Sequence, residues 1–192
     1  MGPRERILRA AAALFADTGY RGATTRRIAE RAAVNEVTLF RHFGSKQELI
    51  HEAIGLAGLA EFPLLPAIPG DPRSELIDWS RQQLDHLHRA RALIRTCMGE
   101  GRERPEILSA ARDRPTRVHQ ELESYLERLR DLGLAARDVD LPAAAAMLMG
   151  ALFSDAMGRD FMPDVFSYSM EAAPALYVDL LLRAIGGHEI EG

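Results

Sequence analysis

With 192 residues, 47% hydrophobic and 27% charged, the chain can bury at least one sizeable core and is too apolar to be disordered or fibrous. Its one cysteine, Cys97, excludes an intrachain disulfide, a thiolate zinc site and a redox pair. The net charge of −4 hides an asymmetry: residues 1–50 carry nine Arg or Lys against five Asp or Glu, and the rest carries 15 against 23, as when a small basic module that meets a polyanion is joined to an acidic body.

Helical periodicity recurs from end to end and no stretch alternates with period two, so the expected class is all-α. Ile7, Leu8, Ala11, Leu14 and Phe15 recur at three- and four-residue intervals, and Gly19 offers a left-handed stop. A short second helix begins at Thr24 or Thr25, whose hydroxyl can cap free amides, and turns Ile28, Ala29 and Ala32 inward. The third runs from Asn35 as its cap to about His42, with Leu39 and Phe43 facing the core. Gly44 and Ser45 break the chain, and Ser45 can cap a fourth helix from Lys46 to about Ala60. Two short helices around a tight turn at Ala33 and Val34, braced by the helix before them, match a helix-turn-helix layout.

Downstream, Pro63, Pro66, Pro69 and Pro72 fall every third residue, which favours a stiff extended connector. A long helix follows from about Ser74 to Met98, with Leu84, Leu87, Ile94 and Met98 at helical spacing, then a shorter one after Pro105. The next runs from Pro115 to a cap at Gly133 and carries the stripe Val118, Leu122, Tyr125, Leu126 and Leu129. The last two span about Asp140 to Met157 and about Glu171 to Ile185, the second closed by Gly186 and Gly187. The nearly apolar run 141–153 is 13 residues long, short of the ~18–20 that cross a bilayer. Without a signal-peptide pattern at the N-terminus, the expected location is the cytoplasm.

Leu39 and Phe43 facing inward leave Glu36, Val37, Phe40 and Arg41 on the outer side of the third helix. Such a mixture suits the major groove, where a thymine methyl takes apolar contact, guanine accepts from Arg and cytosine donates to Glu. An ordinary surface helix is the competing reading. At this point a family resemblance emerges. Residues 7–50, "ILRAAAALFADTGYRGATTRRIAERAAVNEVTLFRHFGSKQELI", resemble the N-terminus of tetracycline-repressor-type (TetR) regulators. The shared pattern runs through Phe15, Gly19, Tyr20, Thr24, Thr25, Ile28, Ala29, Thr38, Leu39, Phe40, His42, Phe43, Ser45, Lys46, Glu48 and Leu49.

The resemblance implies a DNA-binding domain over residues 1–48 and a helical regulatory domain over 49–192. It further implies a homodimer on a palindromic operator in double-stranded DNA, released by a small ligand held in the C-terminal domain; movement of the fourth helix is the mechanism expected to couple the two. By position, Thr25 and Thr38 should bond phosphate, Arg26 should read a base, Arg27 should touch phosphate or solvent, and Lys46 should meet the backbone. Asn35, Glu36, Val37, Phe40, Arg41 and His42 complete the expected surface. Phe40 stands where Tyr is commoner, so no phenol can reach phosphate. Glu36 repels phosphate, and either reads cytosine or lies aside.

In the regulatory domain, Met98, Met147, Met149, Phe153, Met157 and Phe161 can line an apolar effector pocket or belong to the core, with Asp155 and Asp160 beside them. Ala146, Gly150, Ser154 and Gly158 recur every four residues, leaving a shallow groove. Leu176, Tyr177, Leu180, Leu181 and Ile185 can fill it, within the monomer or across a dimer. No cofactor or metal is expected: His42 lacks a partner ligand one turn away, and His86 and His88 point about 200° apart as surface residues. No nucleophile elbow or phosphate-cradling glycine loop suggests an enzyme. The alternative function is a helical carrier or partner-binding protein without specific DNA binding, for which the outward set Arg26, Thr38, Arg41 and Lys46 has no evident use.

Overall fold

The computed structural model describes residues 1–58 and 64–186, and every described regular element is helical. The elements are α1 (Pro3–Gly22), α2 (Thr25–Arg31), α3 (Glu36–Phe43), α4 (Lys46–Gly58), α5 (Pro72–Glu100), α6 (Pro105–Ala111), α7 (Asp113–Asp131), α8 (Leu141–Gly158) and α9 (Ala173–Ala184). They fall into two compact units. The first comprises residues 1–61 and 90–115; the second comprises 62–89 and 116–192. The 1–48 segment thus lies within a larger head that also takes in the C-terminal part of α5 and all of α6. Pro63, the expected helix end near Ala60 and the cap at Gly187 lie outside the described residues.

In the head, α1 packs on α2, α3 and α4, and α4 also packs on α6. Its core joins Ile7, Leu14 and Phe15 of α1 to Ile28 of α2, Leu39 and Phe43 of α3, and Leu49 and Ile50 of α4, with Cys97 and Ile107 completing it. Helices of seven and eight residues are too short to persist alone, so α2 and α3 depend on this burial and on their ends. Thr24 Oγ1 accepts from Arg27 N, Asn35 Oδ1 from Val37 N at 2.9 Å, and Ser45 Oγ from Glu48 N at 3.1 Å. Each cap satisfies an amide that the helix itself leaves open. Gly19, at φ 68, breaks the regular course of α1 as its residue type predicts.

The turn between α2 and α3 is a Schellman motif. Val34 N donates to Ala29 O at 3.0 Å and Ala33 N to Glu30 O at 3.1 Å, while Arg6 Nε donates to Ala32 O at 3.1 Å. The motif needs a left-handed residue, and here it is Ala33, at φ 52.

The second unit has its own core. Leu76, Trp79 and Leu84 of α5, Val118, Leu122, Tyr125, Leu126 and Leu129 of α7, Leu148 and Leu152 of α8, and Val178, Leu181 and Leu182 of α9 are all buried. Pro72 begins α5 two residues earlier than Ser74, at a position where its missing N–H costs nothing. Glu75 Oε1 accepts from the amides of Gly70 and Asp71 and Oε2 from Tyr125 Oη, which ties the connector to α7. Gly133, at φ 77, closes α7 through Leu134 N to Leu129 O at 2.8 Å. Though α8 has the length and apolar character of a short membrane helix, eight of its residues, among them Leu148, Leu152 and Asp155, are buried within the protein.

Ala33 is exposed, so removing its methyl forfeits no packing. An L-residue held left-handed costs about 1–2 kcal/mol, and glycine returns part of the gain through its freer unfolded chain. Ala33→Gly should therefore stabilise the head by about 1 kcal/mol in urea unfolding; a lower midpoint would show that the turn carries no strain at this residue.

Candidate functional site

The outer surface of α3 is unusual for so short a helix. Val37 is 72% exposed and Phe40 45%, while Arg41 and His42 beside them are exposed as well. Leu39 and Phe43, at 0% and 5%, anchor the opposite side, so the helix cannot roll its apolar outer groups inward without expelling its core residues. Thr38 is half-buried at the margin. Asn35, the cap, is exposed at the N-terminal end of this surface.

Around α3 the polar groups are braced rather than loose. Thr25 Oγ1 donates to Glu36 Oε1, joining the first residue of α2 to that of α3. In this structure Glu36 thus lies aside on Thr25, and the Thr25 hydroxyl expected to meet phosphate serves the protein. Arg26 is paired with Glu30 at 3.0 Å, both strongly exposed, an arrangement worth little by itself and easily exchanged for another anion. One guanidinium N–H of Arg27 donates to Gly22 O at 2.7 Å, closing the α1–α2 corner.

Lys46 is the only lysine among 24 basic residues, and its placement departs from the expected outward reach. Its ammonium donates to Tyr20 O and lies 4.3 Å from the centroid of the Tyr20 ring. Burial, followed by the charge of Arg104, pulls its pKa down from the ordinary lysine value, while Glu100 acts in the opposite sense. Arg104 lies over the same ring at 4.0 Å, and Glu100 Oε1 accepts from Tyr20 N at 3.0 Å. Sequence spacing offered no signal for these partners, which stand about eighty residues from Tyr20 along the chain.

This layout is a helix-turn-helix with an exposed second helix and cationic flanks. Residues 7–53 match the model of bacterial regulatory proteins of the tetR family, and residues 74–180 match that of the AefR-like transcriptional repressor C-terminal domain. The chain belongs to the TetR family. This regulator is 29% identical over 130 residues to the HTH-type transcriptional regulator YvkB of Bacillus subtilis (strain 168), covering 68% of this chain and 69% of that one. It is similar to the solved structure of the TetR family regulator PfmR of Thermus thermophilus, with 26% identity, TM-score 0.66, and 94% and 98% of the two chains covered. The fold also matches Salmonella enterica GusR at TM-score 0.73 and 22% identity, over 95% of each chain. The protein is therefore a DNA-binding transcriptional regulator.

The six residues named for an effector pocket differ in unit and in exposure. Met98 lies in the head and is 59% exposed; Met147 and Phe161 of the second unit are 54% and 71% exposed. Met149, Phe153 and Met157 are half-buried, and Met149 and Met157 pack on the core of the second unit. Of the residues named for a subunit interface, Ala146, Gly150 and Ser154 on α8 and Leu176 and Leu180 on α9 are exposed. Tyr177 is half-buried, whereas Leu181 and Ile185 sit in the core of their own unit at 1% and 0% exposure. Gly158 is buried against Met162 and Phe166.

Asp155, read from sequence as an exposed charge or a ligand contact beside the apolar cluster, is held by the protein itself. It is fully buried and holds Arg159 through two bonds of 2.8 and 2.7 Å. Tyr177 Oη donates to it at 2.7 Å and lies 2.5 Å from Tyr168 Oη, while Arg159 also donates to the carbonyls of Phe166 and Tyr168. Burial and these bonds push the Tyr177 hydroxyl well above the ordinary phenol value. The network pins the segment after α8 onto α9.

On α5, Trp79 Nε1 and Ser80 Oγ are buried with no hydrogen-bond partner, at residue exposures of 2% and 0%; Gln83, one turn on, is buried as well. His88, taken from sequence for a surface residue, is half-buried with Nδ1 shielded and unbonded. Ser80 and Gln83 on the apolar side of a long helix are a signal that sequence reading passed over. Burial pushes the Cys97 thiol up to about 11, which leaves it a protonated core group rather than a nucleophile.

Removing Asp155 strands a guanidinium that is only 19% exposed. Asp155→Ala should destabilise the second unit by about 3 kcal/mol in chemical denaturation; a loss under 1 kcal/mol would show that the network is dispensable.

Proposed function

We propose that this regulator acts as a homodimeric repressor on a two-fold symmetric operator and is released by a small, largely apolar molecule held in the second unit. The observation that carries the reading is the outer side of α3, where Val37, Phe40 and Arg41 stand exposed on a helix held rigidly from behind. Exposed apolar groups beside a guanidinium match the methyl and acceptor pattern of the major groove. Arg26 fits a base contact at the start of α2, with Thr25, Arg27, Thr38 and His42 on the flanking strand. Lys46 fits a phosphate contact at the start of α4, since an ammonium with three donors can turn from Tyr20 to an incoming anion.

The dimer is supported by the exposed apolar groups of the packed pair α8 and α9, namely Ala146, Met147, Gly150, Leu176 and Leu180. Exposed apolar groups on two packed helices are what a second copy covers in a closed, isologous contact. The effector reading is supported by the unbonded Trp79 Nε1 and Ser80 Oγ in the interior of the second unit, because buried polar atoms are normally satisfied and a ligand with an acceptor can satisfy such a donor.

The test is selection of bound fragments from randomised duplex DNA by the purified protein. A two-fold motif should emerge, with half-sites about one helical turn, roughly 34–36 Å, apart. Arg26→Ala should relax base preference within each half-site by about 1–3 kcal/mol. Binding with no motif, or equal affinity for all duplexes, overturns operator recognition in favour of a carrier. Trp79 is the sole tryptophan, so intrinsic fluorescence reports on the interior of the second unit alone. An inducer found with the selected operator should shift that emission as it releases DNA; release with unchanged emission would place the effector elsewhere.

A further inference from the structure

In the head, two cations and one carboxylate converge on Tyr20, and none of the three is explained by the packing of the core. Lys46 donates to the Tyr20 carbonyl and lies 4.3 Å from its ring centroid, while Arg104 lies 4.0 Å from the same centroid. Glu100 accepts from the Tyr20 amide at 3.0 Å with one oxygen and stands 3.8 Å from Arg104 Nε with the other. The carboxylate also crowds the left-handed Gly19: a Cβ there would come within 2.6 Å of Glu100 Oε1. Glu100 ends α5, and Arg104 precedes the first turn of α6, with its amide bonded to Glu100 O at 3.0 Å. One corner of the fold therefore presents opposite charges to the only lysine of the chain.

We propose that Arg104 and Glu100 are positioning residues that set how readily Lys46 leaves Tyr20 for a DNA phosphate. The inference rests on the reading of Lys46 as a phosphate contact. On Tyr20 the ammonium is partly desolvated, gains the carbonyl and the ring, is repelled by Arg104 and is attracted by Glu100. Arg104 raises the free energy of that resting place and Glu100 lowers it, whereas neither alters the bond that Lys46 makes with phosphate. Arg104 thus favours the DNA-engaged lysine and Glu100 the resting one. Any displacement of the α5–α6 corner changes the charge that Lys46 meets, and with it the affinity of the head for a duplex.

The variants Lys46→Gln, Arg104→Gln and Glu100→Gln, and the doubles that combine each corner change with Lys46→Gln, separate this role from others. Gln at 100 keeps an oxygen for the Tyr20 amide, so the corner stays closed, and thermal melts confirm the fold of each variant. Affinity for the selected operator is measured across salt concentrations. Lys46→Gln should weaken binding and lower the salt slope by about 1, as for one lost phosphate contact. Arg104→Gln should weaken binding and Glu100→Gln strengthen it, each by a factor of about three, the scale of a partly exposed charge pair. Both slopes should stay at the wild-type value, Arg104→Lys should restore wild-type affinity, and both effects should vanish in the Lys46→Gln background. In 15N spectra the single lysine should titrate higher in Arg104→Gln and lower in Glu100→Gln.

Effects that persist without Lys46, or a salt slope that falls with Arg104, would make Arg104 a direct phosphate ligand and overturn the inference while leaving the reading of Lys46 intact. Unchanged affinity and slope in Lys46→Gln would refute that reading itself, and the inference with it.

Discussion

Everything in the head depends on the angle at which α3 leaves α2, and that angle is held by a turn whose central residue is conformationally unfavourable. The Schellman bonds from Val34 and Ala33, the Arg6 bond to Ala32 and the burial of Ile28 and Leu39 together keep Ala33 left-handed. None of these alone would position an eight-residue helix. Acting together they fix its inner side, and a fixed inner side is what lets Val37 and Phe40 stay exposed. The proposed function rests on that constraint: a surface that is to read bases has to keep its apolar groups in water until a groove accepts them.

The two units use polar groups in contrasting ways. In the second unit Asp155 is enclosed with Arg159 and Tyr177, every bond short and local, so the charge pair acts as a fastening for the segment between α8 and α9. Trp79 Nε1 and Ser80 Oγ are enclosed without partners. In the head, by contrast, Arg26, Arg27, Thr25 and Lys46 are bonded to neighbours that a phosphate or a base can replace. Exposed or half-exposed pairs of this kind cost little to exchange. The head therefore holds these cations in order through bonds to its own groups.

The caps and stops were readable in the sequence because their chemistry is local. Thr24, Asn35, Ser45, Gly19 and Gly133 each act within a few residues of their own position. The inner and outer sides of α3 were readable too, since Leu39 and Phe43 differ sharply from Arg41. On α8 the same method failed: nearly every residue from Leu141 to Phe153 is apolar, so periodicity could not tell the exposed Met147 from the buried Leu148. Nor could it show that Leu181 and Ile185 turn inward while Leu180 turns outward, or that Asp155 is enclosed. The setting of Lys46 was illegible for a different reason, because Glu100 and Arg104 reach Tyr20 only through the tertiary fold.

The central claim is that the outer side of α3 lies against base edges in the major groove. It is tested most directly by placing a photoreactive benzophenone amino acid at Val37 or Phe40, and at exposed Met147 as a control, then irradiating each protein with its selected operator. The account predicts cross-links to bases within the half-sites from positions 37 and 40 and none from 147. Cross-links absent from both α3 positions, in protein that still retards the operator, would contradict it.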